Sequence, residues 1–299
     1  MTAGSIQAPP DRVIFSVDER REALLDVIRQ ARREITLSLF RCNDDGIFEE
    51  LTADTERGVA VDVLVTTRSK GGKKKREKLW TALENTGASV HAYTDPVVKY
   101  HAKYLVADDG PAVVASLNFT RKCFRKTWDA LVITHDPEVV AGLRRLMAAD
   151  REGQPAPPDL TPRLIVGPER ARRQLTALIE RAQASIRLVD AKVSDPDLLA
   201  LLKDKRSAGV AVDVYGARKI GGLKSHGKIM MIDDTTVVVG SLALAALSLD
   251  FRREVAIVLD SPAALAETRQ FFAMIDAAQR DQTASAADAG SSTLYDSPS

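Results

Sequence analysis

The chain predicts a two-lobed α/β fold in which each lobe is a mixed β-sheet flanked by helices and the two lobes form a pseudo-dimer. Three observations lead there: an internal repeat, strand-type apolar runs alternating with helical periodicity, and a proline-rich break between the halves. The repeat is plainest in Gly58-Val-Ala-Val-Asp-Val63, which recurs as Gly209-Val-Ala-Val-Asp-Val214. Each copy follows an amphipathic stretch and reads as a buried strand.

Taken in order, Asp18 to Glu34 has helical periodicity and leads into the apolar strand-type run Ile35 to Phe40. Glu169 to Ala184 leads into Ile186 to Asp190 in the same way. A second helix follows in both halves, Ile47 to Arg57 and Leu198 to Ser207. After the repeated strands come a histidine-bearing strand, a short turn, a second apolar strand and a third, Ala130 to Ile133 and Val255 to Val258. Helices Pro137 to Asp150 and Pro262 to Ala278 close the halves. Gly153-Gln-Pro-Ala-Pro-Pro158 cannot continue a helix and marks the linker. The expected organisation is a disordered N-terminus (1–12), a first lobe (13–153), a linker (154–162), a second lobe (163–280) and a disordered Ala/Ser/Asp/Gly-rich tail (281–299).

The halves differ in one insertion. Val63 lies 38 residues before His101, whereas Val214 lies 12 before His226, so the first half carries 26 extra residues. They hold a basic cluster (Arg68, Lys70, Lys73, Lys74, Lys75, Arg76, Lys78), a helix through Leu79 to Asn85 and a strand near Val90 to Tyr93.

Composition bounds the function classes. At 299 residues with 45% hydrophobic content the chain can bury a substantial core. Its formal charge of +1 removes any argument from bulk charge for nucleic acid or membrane binding, so such affinity has to be local. Two scattered cysteines do not make a disulfide framework or a thiolate metal site, and the first ten residues lack a signal-peptide apolar run. A reduced, cytoplasmic monomer is expected, touching membranes at most peripherally, with no obligate protein partner.

Two of the four histidines open the same pattern. His101-Ala-Lys103 runs on to Asp108, with Ala115-Ser116-Leu117-Asn118 shortly after; His226-Gly-Lys228 runs on to Asp233, with Gly240-Ser241-Leu242-Ala243 at the same distance. Side chains two apart on a strand share a face, so each His and Lys point together, as gripping one phosphate requires. His91 and His135 lie outside the pattern and read as structural.

This duplicated motif resembles that of the phospholipase D superfamily, and the resemblance extends over nearly the whole chain outside the tails. Two copies at matching repeat positions are far more specific than one. Ser248 to Glu254 resembles the family's downstream acidic element, and Trp128-Asp129 occupies the comparable place in the first half, with Asp where Glu is usual. Ala115 replaces the usual Gly, and Ala243 stands where Asn118 stands in the first motif.

The resemblance implies a two-step displacement at phosphorus: His101 attacks to give a phosphohistidine, and His226 protonates the leaving oxygen, then deprotonates the acceptor. It further implies that Lys103 and Lys228 neutralise the phosphoryl charge, that Ser116, Asn118 and Ser241 donate hydrogen bonds to it, and that Asp108 and Asp233 stabilise the motif or hold an imidazole. No metal and no cofactor are expected. The implied substrate is a phosphodiester, with a phospholipid headgroup favoured over nucleic acid because aromatic stacking residues are sparse, at 5% of the chain. The segment Arg68 to Lys78 would supply peripheral membrane contact. The alternatives are a nuclease using the same histidines and a catalytically inactive phosphate-binding homologue.

Overall fold

The computed structural model describes residues 9–67, 72–216 and 219–291. Its first half runs β1 (Arg12–Ile14), α1 (Arg20–Gln30), β2 (Glu34–Leu39), α2 (Asp45–Glu56), β3 (Ala60–Thr66), α3 (Gly72–Glu84), β4 (Ser89–Tyr93), β5 (Lys99–Tyr100), β6 (Tyr104–Ala107), β7 (Ala112–Ala115), α4 (Arg121–Arg125), β8 (Thr127–Trp128), β9 (Leu131–Thr134) and α5 (Pro137–Arg151). The second half runs β10 (Leu164–Gly167), α6 (Ala171–Arg181), β11 (Ser185–Val189), α7 (Pro196–Ser207), β12 (Ala211–Tyr215), β13 (Lys219–Ile220), β14 (Leu223–Ser225), β15 (Ile229–Ile232), β16 (Thr236–Gly240), α8 (Ala246–Asp250), β17 (Arg252–Leu259) and α9 (Pro262–Ser291).

The two large sheets share one topology. The first is ordered β1-β9-β7-β6-β2-β3-β4 and the second β10-β17-β16-β15-β11-β12. The extra strand β4, supplied by the insertion, pairs in parallel with β3 and has no counterpart among the described residues of the second lobe. Alternation along each strand divides the side chains between two faces, both buried. Val113 and Ala115 face α1 and α2, while Ala112 and Val114 face a core that both lobes share. That shared core includes Val139, Leu143 and Leu146 of α5 and Phe271, Phe272 and Ile275 of α9. With apolar surface contributed by both halves, the lobes form one packed unit.

Two small pairings stitch the lobes together, and they position the site. β5 of the first lobe pairs with β17 of the second, Lys99 opposite Arg252 and Tyr100 opposite Arg253. Conversely β14 of the second lobe pairs with β8 of the first, Lys224 opposite Thr127 and Ser225 opposite Trp128. Each motif histidine follows directly on its own half of such a pair, and the partner strand leads into the other lobe's acidic residue, Glu254 or Asp129.

Two expected boundaries are corrected. β1 begins at Arg12 and Asp11 pairs with Arg163, inside the stretch expected to be disordered. Helix α9 continues to Ser291, past the predicted end of the lobe at residue 280. Ala264, Phe271, Phe272 and Ile275 anchor its first turns in the core. Residues 1–8 and 292–299, expected to be disordered, lie outside the described residues.

Candidate active site

The site begins with the turns that aim the two histidines. Gly227 sits so close to the β8 strand that a Cβ there would meet Trp128 O at 2.6 Å, and its amide donates to that same oxygen at 2.7 Å. The His226 loop is thereby fixed to the first lobe. His101 N donates to Arg253 O at 2.9 Å, which fixes the other loop to the second lobe.

Each imidazole then meets a fully buried carboxylate from the opposite lobe. His101 Nδ1 lies 2.8 Å from Glu254 Oε2, and His226 Nδ1 lies 3.0 Å from Asp129 Oδ2. Burial by itself pushes the Glu254 carboxyl up, but His101, Lys103 and Ser241 outweigh it and hold the group below the usual carboxylate range. Asp129 behaves alike: burial raises it, and His226, Thr127 and Lys228 bring it below its ordinary value. An ionised carboxylate only accepts, so Nδ1–H of each ring is the donor; Nε2 keeps its lone pair in a neutral ring and carries a proton in an imidazolium. Burial lowers His101 to about 3, against the pull of Glu254, which keeps that imidazole neutral.

Each lysine is bonded beside its own motif histidine. Lys103 is 1% exposed, donates to His101 O and has its ammonium 5.1 Å from the Phe40 ring centroid. Burial lowers its pKa to about 7, opposed by Glu254 and reinforced by the like charge of Lys228 from the other lobe. Lys228 donates to His226 O, and its charge also acts on the buried Asp190, whose carboxyl accepts from Lys192 N and Leu244 N. Residues from both motifs therefore interact across one interface.

Ser116 and Ser241 are differently employed from the expectation. Both are 1% exposed. Ser116 Oγ donates to Asp129 Oδ1 at 2.7 Å and accepts from Ala130 N, while Ser241 Oγ bonds the backbone of Val255 and helps hold Glu254 ionised. Their hydroxyls are engaged behind the dyads, supporting the carboxylates instead of facing a phosphate. Asn118 is 7% exposed, and its amide oxygen, an acceptor, is buried without a hydrogen-bond partner among the described residues. Ala243 offers only its backbone amide, which donates to Ser248 Oγ.

The structure gives Asp108 and Asp233 the first of their two expected roles, stabilising the motif, and not that of holding an imidazole. Asp108 accepts from the backbone amides of Arg32, Arg33 and Glu34, and Asp233 from those of Gln183, Ala184 and Ser185. Both have positive φ, 45° and 51°. Each closes a β-turn against the entrance to the lobe's first long strand, at the end of the motif strand remote from the histidine. The imidazoles are held instead by Glu254 and Asp129, both of which stand 28 residues after their own lobe's histidine. That shared spacing was the available signal.

Two further residues contribute; Ser248 opens the acidic run singled out in the sequence, whereas Arg20 carried no such mark. Arg20 is fully buried and donates to the carbonyls of Cys123, Phe124, Thr127 and Asp129, pinning the loop that carries Asp129. Ser248 Oγ donates to Glu254 Oε1 at 2.9 Å. The expectation that no cluster has metal-ligand character also changes, since Cys123, Asp129 and His226 have donor atoms within 4.8 Å of one another. The chain folding brought these together from separate lobes. His91, outside the motif, pairs with Asp62 on the edge of the first sheet.

A family model described as cardiolipin synthase, PLD-like domain, matches residues 24–151 and 215–275, which contain both motifs. The chain belongs to the phospholipase D superfamily. Comparison with curated proteins gives no match. Among solved structures, this superfamily member is similar to phosphatidylserine synthase from Haemophilus influenzae Rd KW20, with TM-score 0.67 and 12% identity over 89% of this chain and 86% of that one. It is also similar to polyphosphate kinase from Porphyromonas gingivalis, with TM-score 0.70 and 20% identity over 87% of this chain and 49% of that one, so it spans about half the length of that protein. At these identities the likeness establishes the shared two-lobed fold. No helix among the described residues is long and apolar enough to cross a membrane.

Proposed function

We propose that this phospholipase D superfamily member is a metal-independent phosphodiesterase acting through a phosphohistidine, with a phospholipid headgroup diester as substrate. The observation that carries this reading is the pair of crossed dyads, in which each Nδ1 is committed to a buried carboxylate of the other lobe and each Nε2 remains reactive. His101, neutral and oriented by Glu254, attacks phosphorus. His226 protonates the departing oxygen, and the charge of Asp129 stabilises the imidazolium that this acid role requires. His226 then takes a proton from water or an alcohol, which displaces His101. Lys103, Lys228 and the Asn118 amide neutralise and bind the non-bridging oxygens.

The lipid preference rests on the rim. The two motifs are related by an offset of 125 residues, which makes Lys122 and Lys126 equivalent to Leu247 and Phe251. The lysines are exposed, and Leu247 and Phe251 are 43% and 49% exposed. Val97, 65% exposed, joins the apolar side, since Lys99 N donates to Phe251 O and draws the two segments together. Exposed lysines at two equivalent positions in the first lobe and exposed apolar side chains, beside Lys99, at those in the second suit an anionic amphiphile better than a nucleic acid backbone. On α3, Lys73, Lys74, Lys75 and Lys78 are exposed as a further cationic surface, while Arg68 and Lys70 lie outside the described residues.

The test is turnover in EDTA of phospholipid vesicles, single-stranded and plasmid DNA, RNA and bis(p-nitrophenyl) phosphate, beside His101→Ala and His226→Ala. Headgroup release abolished by either variant is expected, together with a labelled phosphohistidine on His101. Preferential cleavage of nucleic acid would replace the lipid reading with the nuclease one. Full turnover in either variant would end the shared-site mechanism.

A further inference from the structure

The dyad of His226 differs from that of His101 in the third group that supports it. Cys123 is the counterpart of Ser248 at the 125-residue offset. In one dyad a hydroxyl donates to Glu254; in the other the same position carries a thiol beside Asp129. The two replacements in the first lobe, Asp for Glu and Cys for Ser, change the donor set from hydroxyl, carboxylate and imidazole to thiol, carboxylate and imidazole.

That set has the composition of a three-ligand zinc site with one position open. Cys123 Sγ, an Asp129 carboxylate oxygen and a His226 ring nitrogen lie within 4.8 Å of one another. Zinc bonds of about 2.0–2.3 Å separate tetrahedral ligands by roughly 3.3–3.8 Å. His226 Nδ1 and Asp129 Oδ2, 3.0 Å apart, would open by a few tenths of an ångström, and the thiol lies within 4.8 Å of both groups. Arg20 holds the carbonyls on both sides of this loop, which fixes Cys123 and Asp129 relative to each other. Access comes through His226, whose side chain is 32% exposed. The companion dyad lacks these properties: Ser248 is a poor ligand, and the Lys103 ammonium stands 3.1 Å from His101 Nδ1, where an ion would have to sit.

We infer that Cys123, Asp129 and His226 form a binding site for a thiophilic divalent cation of the zinc class, and that its occupation silences the His226 dyad. On binding, the thiol releases its proton to solvent as the sulfur–metal bond forms. The metal takes Nδ1 of His226, whose proton moves to Nε2, and Asp129 exchanges its hydrogen bond for the ion. The ring stays neutral overall, but the Nε2 lone pair needed to deprotonate the acceptor is gone. Ion binding stands apart from the phosphodiesterase reading; the loss of turnover rests on it.

Protein stripped with EDTA and moved to chelator-free buffer is titrated with Co²⁺ as an optical probe, then with Zn²⁺ in competition. One equivalent of Co²⁺ with a thiolate-to-metal charge-transfer band is expected for the native chain and for Cys42→Ser. In Cys123→Ser, which installs the residue of the other dyad, the band disappears and Zn²⁺ binds at least about tenfold more weakly. His226→Ala keeps the thiol and is expected to lose a similar factor. Absence of the band in the native chain, or its persistence in Cys123→Ser, overturns the site. In the second arm, Zn²⁺ inhibits bis(p-nitrophenyl) phosphate hydrolysis at a concentration at least about tenfold lower for the native chain than for Cys123→Ser. Cobalt binding through Cys123 without any diester turnover would support the metal site and count against the phosphodiesterase.

Discussion

Replacing Lys103 with Met is expected to stabilise the protein while removing its activity. The lysine is 1% exposed, and burial shifts its pKa from 10.5 to about 7. That difference corresponds to roughly 5 kcal/mol between its charged and neutral forms. The sign follows from proton counting. Between pH 7 and 10.5 the unfolded chain holds a proton that the folded chain has released, so folding stability rises with pH by up to about 1.4 kcal/mol per unit. The stability is present above 10.5 and is lost as pH falls through the folded pKa near 7. Met fills a similar volume without charge, so the variant lacks this ramp. Urea unfolding of both proteins from pH 7 to 9 measures it, and their difference cancels the tyrosines, cysteines and other lysines. The variant is expected to be several kcal/mol more stable at pH 7, with the gap narrowing by about 3 kcal/mol at pH 9. Its turnover is expected to fall on the order of 100-fold or more, since one donor of the phosphoryl clamp is missing. Parallel stability curves over this range would refute the claim that Lys103 is held in a desolvated, charge-averse position.

Three other perturbations read different parts of the structure. Glu254→Gln preserves shape but lets an amide face His101 Nδ1, favouring the tautomer with Nε2 protonated; kcat is expected to drop on the order of 10³-fold or more with little change in KM, and turnover within about threefold of native would reject the orienting role. Asp108→Asn keeps a residue tolerant of φ 45° yet weakens three amide contacts, so a loss of about 1–3 kcal/mol is expected in urea unfolding, and an unchanged midpoint would contradict it. Because the backbone amides of Glu34, Arg33 and Arg32 outweigh burial and hold the Asp108 carboxyl below its ordinary value, that difference should fade as pH drops through the folded pKa. Phe251→Ser with Leu247→Ser should weaken sedimentation with anionic vesicles severalfold while leaving Lys122→Glu and Lys126→Glu as the salt-sensitive pair; equal binding by all variants would remove the amphipathic rim.

Much of the architecture was readable because a duplication repeats its own evidence. The recurrence of Gly58 to Val63 at Gly209 to Val214 fixed the register of the halves, and alternation of apolar runs with helical periodicity named the layers. The histidines and lysines were readable for the same reason, since a spacing of two on a strand implies a common face. The two roles open to the acidic residues of the motif stayed unresolved because local spacing cannot tell a carboxylate that closes a turn from one that meets an imidazole. Asp108 and Asp233 are near the histidines in sequence, but each lies at the far end of a strand and is consumed by three backbone amides.

The sequence by itself determined that there are two lobes, which residue types each contributes and that the types suit phosphate chemistry. Only the tertiary structure decided the pairing: His101 with Glu254, 153 residues away, and His226 with Asp129, 97 residues away. The physical reason is the exchange of short strands between lobes, which carries each acidic residue out of its own half and buries it against the other's imidazole. Composition along a chain records what can pair, whereas the low-dielectric interface between the lobes selects which charges do, because an ion buried there without its partner would be too costly to keep.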